Sequence, residues 1–272
     1  MAHPQIAAFA RLADEGAEAT RRIEGQATFL GRTMHSIDYD EIHDEIVVPQ
    51  QFAQAILTFR GSTDGDEPPV RVIQGPKTRL QRPDRITVDP VHNEIFVPSR
   101  DAIMVYPREA HGNVAPIRIL EGPDTRLGGS AAAVDPVHDL LIVAGSVGGR
   151  GREGSGQLLI FDRTAEGNAK PLRAIRGPNT MLTNTKNVRV YPPGGWILVA
   201  EDGVEDSNTG LSFVGVWSIH DDGDVPPRWT IGGPKGTLLK PRGVALDPEN
   251  HAVIVSDKKL NAILTYYFPE IF

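Results

Sequence analysis

A long segment recurs along this chain and limits what it can fold into. Arg85–Pro123 reads RITVDPVHNEIFVPSRDAIMVYPREAHGNVAPIRILEGP, and its grammar returns between Ala131 and Pro178 as AAAVDPVHDLLIVAGS followed by QLLIFDRTAEGNAKPLRAIRGP. Self-similarity at a period of about 50 residues marks an architecture assembled unit by unit. Each unit holds four short β-rich runs separated by turn signals, the pattern of one β-propeller blade.

Taken in order, the first complete unit places strands at Ser36–Asp40, Glu45–Val48, Ala55–Phe59 and Val70–Ile73. The second places them at Ile86–Asp89, Glu94–Val97, Ile103–Tyr106 and Ile117–Leu120. The third has Ala132–Asp135, Leu140–Ala144, Leu158–Phe161 and Leu172–Ile175, and the fourth Val188–Tyr191, Trp196–Ala200, Phe213–Trp217 and Arg228–Ile231. The last has three only, Val244–Asp247, Ala252–Val255 and Ala262–Tyr266.

Ile6–Gly25 aligns with Ala55–Gly75 as the second half of a unit. Its alanines favour a helix locally, but the alignment makes Thr20–Ile23 an outer strand. The expectation is an all-β, single-domain β-propeller over residues 1–272 with four-stranded blades. Five blades are expected, closed by the N-terminal strand completing the C-terminal blade, which removes two sheet edges. Six blades, one of them incomplete, is the alternative.

The turns have physical reasons. Asp89-Pro90, Asp135-Pro136 and Asp247-Pro248 close inner hairpins, since Asp-Pro starts a turn and proline cannot donate to a ladder. Gly112-Asn113, Gly167-Asn168 and Gly223-Asp224 supply positive-φ residues for the outer hairpins.

A formal charge of −7 over 272 residues, with lysines and arginines scattered, argues against a nucleic-acid partner and against a membrane-surface patch. There is no cysteine, which removes disulfides, thiolate metal sites and a thiol nucleophile. MAHPQIAAFARLADEG has neither a basic nor a continuous apolar signal region, and no stretch approaches the ~18 apolar residues of a membrane span. The expected location is cytoplasmic, or exported with a signal removed. Oligomeric state is not readable.

The quartet Val-Asp-Pro-x-His (88–92, 134–138), the third-strand pattern at 103–106, Gly-Asn-x-x-Pro-x-Arg (112–118, 167–173) and Gly-Pro-x-Thr-x-Leu (122–127, 177–182) resembles the NHL-type repeats of bacterial β-propellers. The resemblance covers nearly the whole chain and implies architecture rather than activity. Propellers of this kind include protein- and RNA-binding modules, calcium-dependent lactonases and lyases.

A propeller's ligand face is built by two sets of loops, those between blades and those joining second to third strands. Two of the latter are long here, Gly145–Gln157 and Glu201–Ser212, and enlarged loops on a rigid scaffold are common places for function. Aligned inner strands put His35, Asp84, Ser130, Lys186 and Arg242 at one channel-mouth position. Ser36, Arg85, Ala131, Asn187 and Gly243 follow, and Gln50, Ser99, Gly145, Glu201 and Asp257 end the second strands. Convergent polar groups in a concavity are the default binding site; a water-filled mouth is the plain alternative.

The candidate ligand-binding residues are therefore His35, Asp84, Arg85, Lys186, Asn187 and Arg242. Glu201 and Asp257, with Asp202, Asp84 and Asn187 nearby, carry oxygens that suit calcium, and lactonase-like propellers hold calcium through Glu, Asn and Asp. Lys186 and Arg242 oppose a cation and suit an anion.

His92 and His138 occupy equivalent turns and read as structural, satisfying turn backbone. His35 stands apart, as a general base or ligand at the channel mouth. Gly149–Gly154 matches Gly-x-Gly-x-x-Gly, but the strand QLLIF follows where a dinucleotide site needs a helix. Phe96, Phe161, Trp196 and Trp217 read as core, while Tyr266, Tyr267, Phe268 and Phe272 either fasten the last blade or mark a partner surface.

Three function classes follow. The first is a scaffold binding a small polar or anionic ligand, a glycan or a protein partner; the others are a calcium-dependent hydrolase or lactonase, and a purely structural propeller.

Overall fold

The computed structural model describes residues 4–32, 34–99, 101–146, 155–203, 212–233 and 236–272. Cα proximity divides the chain into two compact units, residues 1–99 with 104–117, and residues 100–103 with 118–272. The strands are β1 Gln5–Ala8, β2 Arg21–Glu24, β3 Asp38–Asp40, β4 Glu45–Gln50, β5 Ala55–Arg60, β6 Arg71–Gln74, β7 Thr87–Asp89, β8 Glu94–Pro98, β9 Ala102–Pro107 and β10 Arg118–Glu121. Then come β11 Gly129–Asp135, β12 Leu140–Ser146, β13 Gly156–Asp162, β14 Arg173–Arg176, β15 Thr185–Tyr191, β16 Trp196–Glu201, β17 Phe213–Ser218, β18 Trp229–Gly232, β19 Pro241–Asp247, β20 Ala252–Asp257 and β21 Ala262–Tyr267.

Among the described residues these strands form four four-stranded antiparallel sheets (β3–β6, β7–β10, β11–β14, β15–β18), the three-stranded sheet β19–β21 and the pair β1–β2. Five inner strands were expected, and five are present.

One expectation needs correcting. The N-terminal strand does not complete the last sheet: β2 pairs with β1, Ile23 opposite Ile6, and β21 pairs with β20 alone. An outermost strand offers one ladder edge to its sheet, and β1 already occupies that of β2. The local helix suggested by the N-terminal alanines is absent there.

In the first unit the core joins Ile23 and Leu30 to Ile46, Val48, Leu57 and Phe59, with Ile6 and Val72 packed against them. In the second, β11–β14 packs on β15–β18 through Ala131, Ile142, Leu158, Val188, Val199 and Trp217. β15–β18 packs in turn on β19–β21 through Leu198, Val216, Val244 and Val253. Middle strands covered on both faces read as nearly continuous apolar runs, and β12 is buried at six successive positions. Each fully buried Leu, Ile, Val or Phe contributes about 1.5–3 kcal/mol.

The repeated motifs are the devices that join neighbouring sheets. Thr78 Oγ1 donates to the Gly75 carbonyl at 2.6 Å, and Thr180 Oγ1 to that of Gly177 at 2.7 Å; both threonines are buried. The Lys77 N–H then donates to Asn113 Oδ1, and the Asn179 N–H to Asp224 Oδ1, each at 2.8 Å. The outer strands add parallel bridges to the glycine of the next outer hairpin, Ile73 to Gly112 and Ile175 to Gly223. Gly75 sits at φ 129°, and a Cβ there would lie 2.5 Å from Asn113 Oδ1. Only glycine suits that position.

At the inner turns, Asp40, Asp89 and Asp135 are almost wholly buried. Asp135 Oδ1 accepts the N–H groups of Val137 and His138 at 3.0 Å, while Oδ2 meets His138 Nδ1 at 2.8 Å. Asp89 with His92 and Asp40 with His43 repeat the arrangement. The histidines are structural, as expected, but the aspartate takes the backbone donors and the histidine braces the aspartate. His43 belongs to the set although its turn lacks proline.

Candidate functional site

Where the inner strands begin, the second unit repeats one irregularity. In β11, β15 and β19 the pairing register skips a residue: Thr185 opposes Glu201 and Asn187 opposes Ala200, while Pro241 opposes Asp257 and Gly243 opposes Ser256. The extra residues in β15 and β19 are Lys186 and Arg242. A bulge re-aims a side chain and ends regular pairing, so two predicted ligand-binding residues sit on bulges.

Both meet Asp202, the residue after β16. Lys186 Nζ lies 3.7 Å and Arg242 Nη2 3.2 Å from Asp202 Oδ2. Lys186 Nζ also donates to Asn184 Oδ1 at 2.7 Å. Lys186 and Asp202 are each 6% exposed, while a third of the Arg242 side chain faces solvent. Among the described residues, two buried atoms of this cluster, Asp202 Oδ1 and Arg242 Nε, have no hydrogen-bond partner. Such a group costs about 1–3 kcal/mol and calls for an explanation in a native fold.

Asn187, also predicted as a ligand contact, accepts the Val244 N–H through Oδ1 at 3.3 Å and so ties β15 to β19. Glu201 is fully buried. Its Oε1 accepts from Thr183 Oγ1 (2.7 Å), the Asn184 N–H (2.6 Å) and the Gly203 N–H (3.0 Å), and its Oε2 from Thr185 Oγ1 (3.2 Å). Burial pushes its pKa above the usual carboxylate range, and the hydrogen bonds from Thr183, Asn184 and Gly203 offset that only in part.

Asp257 uses its oxygens in the same way. Oδ2 accepts from the N–H groups of Leu239 (2.7 Å) and Lys240 (2.8 Å), and Oδ1 from those of Lys259 (2.9 Å) and Leu260 (3.0 Å). Burial alone would raise its pKa, but the four donors outweigh it and hold the value below the usual range. Gln50, at the equivalent strand end, accepts from the N–H groups of Phe52 and Ala53 and donates to the Phe29 carbonyl.

The last residue of the second strand thus clamps the loops on either side of it. Calcium takes roughly six to eight oxygens, and those of Glu201, Asp257 and Asn187 are already committed to protein donors. Among the described residues no three His, Asp or Glu side chains are grouped so as to hold a metal ion.

In the first unit, His35, Asp84 and Arg85 come together. His35 Nδ1 hydrogen-bonds Asp84 Oδ1, Arg85 Nε lies 3.8 Å from Asp84 Oδ2, and Arg85 Nη1 donates to the His35 carbonyl at 3.5 Å. The His35 side chain is half exposed. Asp38 Oδ2, accepting the Val88 N–H at 2.7 Å, fixes β3 against β7 behind this cluster.

The two long loops lie in part outside the described residues, at 147–154 and 204–211, and so does the Gly-x-Gly-x-x-Gly match at 149–154. Of the C-terminal aromatics, Phe272 packs edge-on against Tyr191 at 5.0 Å and Tyr266 hydrogen-bonds Thr237, whereas Tyr267 is 73% exposed. Phe96, Phe161 and Trp217 are core residues, and Trp196 is partly buried. Sequence reasoning missed Thr183, Asn184 and Thr185, which carry no repeat signature.

No family model matches the chain, and no curated protein matches it. Among solved structures it is similar to the hydrazine synthase of Kuenenia stuttgartiensis, with a TM-score of 0.62 and 12% identity, over 91% of this chain and 67% of that one. The fold is a β-propeller. At that identity the likeness concerns the fold alone. Among the described residues no helix is long and apolar enough to cross a membrane.

Proposed function

We propose that this chain is an NHL-type propeller that works as a ligand-binding scaffold, taking a small anionic ligand at Lys186, Asp202 and Arg242. The observation that carries the reading is Arg242 Nε, a buried donor that finds no acceptor among the described residues. Lys186 and Arg242 bring two cationic side chains to one place, although the chain as a whole carries −7. An anion suits them, and the arginine fork can grip it through two donors.

The calcium-dependent hydrolase finds less support, because binding calcium would strip Glu201 and Asp257 of the donors that hold their loops.

Thermal unfolding at constant ionic strength tests the reading, with acetate, sulfate, phosphate and calcium added separately. A ligand at 100 times its dissociation constant adds about 2.7 kcal/mol, worth roughly 2–4 °C per kcal/mol in a chain of this size. The midpoint is expected to rise with at least one anion, to lose that rise in the Lys186→Ala/Arg242→Ala double variant, and to ignore calcium. Equal anion shifts in both proteins, or a calcium shift, would contradict it.

A further inference from the structure

We infer that β21 is a dimer contact: two copies of this chain pair their β21 strands antiparallel, about a two-fold axis at Thr265. The inference is independent of the anion site.

Among the described residues β21 pairs with β20 alone, whereas β5, β9, β13 and β17, the third strands of the other sheets, each carry an outer strand. The Phe268 N–H, just past β21, donates to the His251 carbonyl at 2.8 Å. Successive residues of a ladder turn their N–H and C=O to opposite sides. Leu264 and Tyr266 therefore bond towards β20, and Ile263, Thr265 and Tyr267 present theirs to the open side. The side chains of these three are exposed, Ile263 by 65%. Its counterparts in β5, β13 and β17, Ile56, Leu158 and Val214, are fully buried.

Native proteins guard such an edge with a charge, a proline or a bulge. The sequence AILTYY has no charge and no proline, and its register with β20 is unbroken. The strand also complements itself. Its outward-facing residues are spaced evenly about Thr265, so a two-fold axis there sets Ile263 against the partner's Tyr267 and Thr265 against the partner's Thr265. Aromatic with β-branched, and threonine with threonine, are favourable cross-strand pairs. A patch that fits its own copy is what a two-fold interface requires.

Sedimentation of the full chain over about 1–100 μM tests this, because a dimer's population depends on concentration. The mass is expected to approach twice the 29.5 kDa of one chain at the upper end. Thr265→Lys sets two like charges against each other at the axis and should weaken dimerisation by about tenfold or more. The chain has no cysteine, so Thr265→Cys should give disulfide-linked dimers on oxidation, while Val137→Cys, at an exposed turn, should not. Should one Thr265 variant fail to fold, the other still decides. A single-chain mass throughout, or a dimer indifferent to Thr265→Lys, would overturn the inference. A dimer that Thr265→Cys does not cross-link would overturn it too, since the strands would then meet in another register. So would a monomer that binds a synthetic peptide of residues 169–179, which contains β14, because the edge would then take a foreign outer strand.

Discussion

Glu201 shows how a residue chosen for one chemistry can serve another. It stands where a metal-binding acid was expected, yet four hydrogen bonds turn its carboxylate inward to hold the loops around β15 and β16. Glu201→Ala should cost several kcal/mol, since each buried donor left unpaired costs about 1–3 kcal/mol. Glu201→Gln keeps the acceptor for three of the four bonds and should cost far less. Its effect should also depend on pH. The folded pKa lies above the unfolded value, so Glu201 favours the fold fully below about pH 4 and loses that contribution as pH rises through the folded value.

Asp257 has the opposite sign, with a folded pKa below the usual range. Its contribution is present above about pH 4 and fades as pH falls through the folded value. Chemical denaturation of Glu201→Gln and Asp257→Asn between pH 3 and 7, each against wild type, checks both. The gap to wild type should grow with pH for Asp257→Asn and shift in favour of the variant for Glu201→Gln. That these carboxylates are clamps was not legible in the sequence, because their partners are mostly backbone N–H groups, which carry no residue signature.

At the scale of elements, much was legible. The spans expected for β4, β8 and β16 fall within two residues of those observed, because short apolar runs bounded by polar or turn-forming residues leave little freedom. What the letters hid was register. Lys186 and Arg242 were placed at the channel mouth by alignment, but alignment says nothing of the bulges that re-aim them.

Beyond shaping turns, Gly-Pro-x-Thr and Gly-Asn have a task that only the fold reveals, clasping one sheet to the next. Gly75→Ala should therefore act on the junction it shares with Asn113. The added Cβ would meet Asn113 Oδ1 at 2.5 Å on a backbone at φ 129°, and strain of this kind costs about 1–3 kcal/mol. The unfolding midpoint should fall in Gly75→Ala and recover in part when Asn113→Gly clears the space. An unchanged midpoint would deny the clasp its role.

For the whole molecule, the repeat foretold the β-propeller and the number of inner strands, while the pairing of the N-terminal strands escaped it. The letters of β2 fit any outer strand, and only the presence of β1 decides which edge it takes. The functional account rests on fewer residues. A chain with net charge −7 gathers two cations around one buried aspartate and, among the described residues, leaves two buried atoms there without partners.

The Arg242 Nε–H is the direct witness to that arrangement, and NMR of ¹⁵N-labelled arginine side chains can observe it. Its signal, assigned by its loss in Arg242→Lys, should shift progressively and saturably as the anion that raises the unfolding midpoint is added. Saturable shifts elsewhere with the Arg242 signal unmoved would contradict the account.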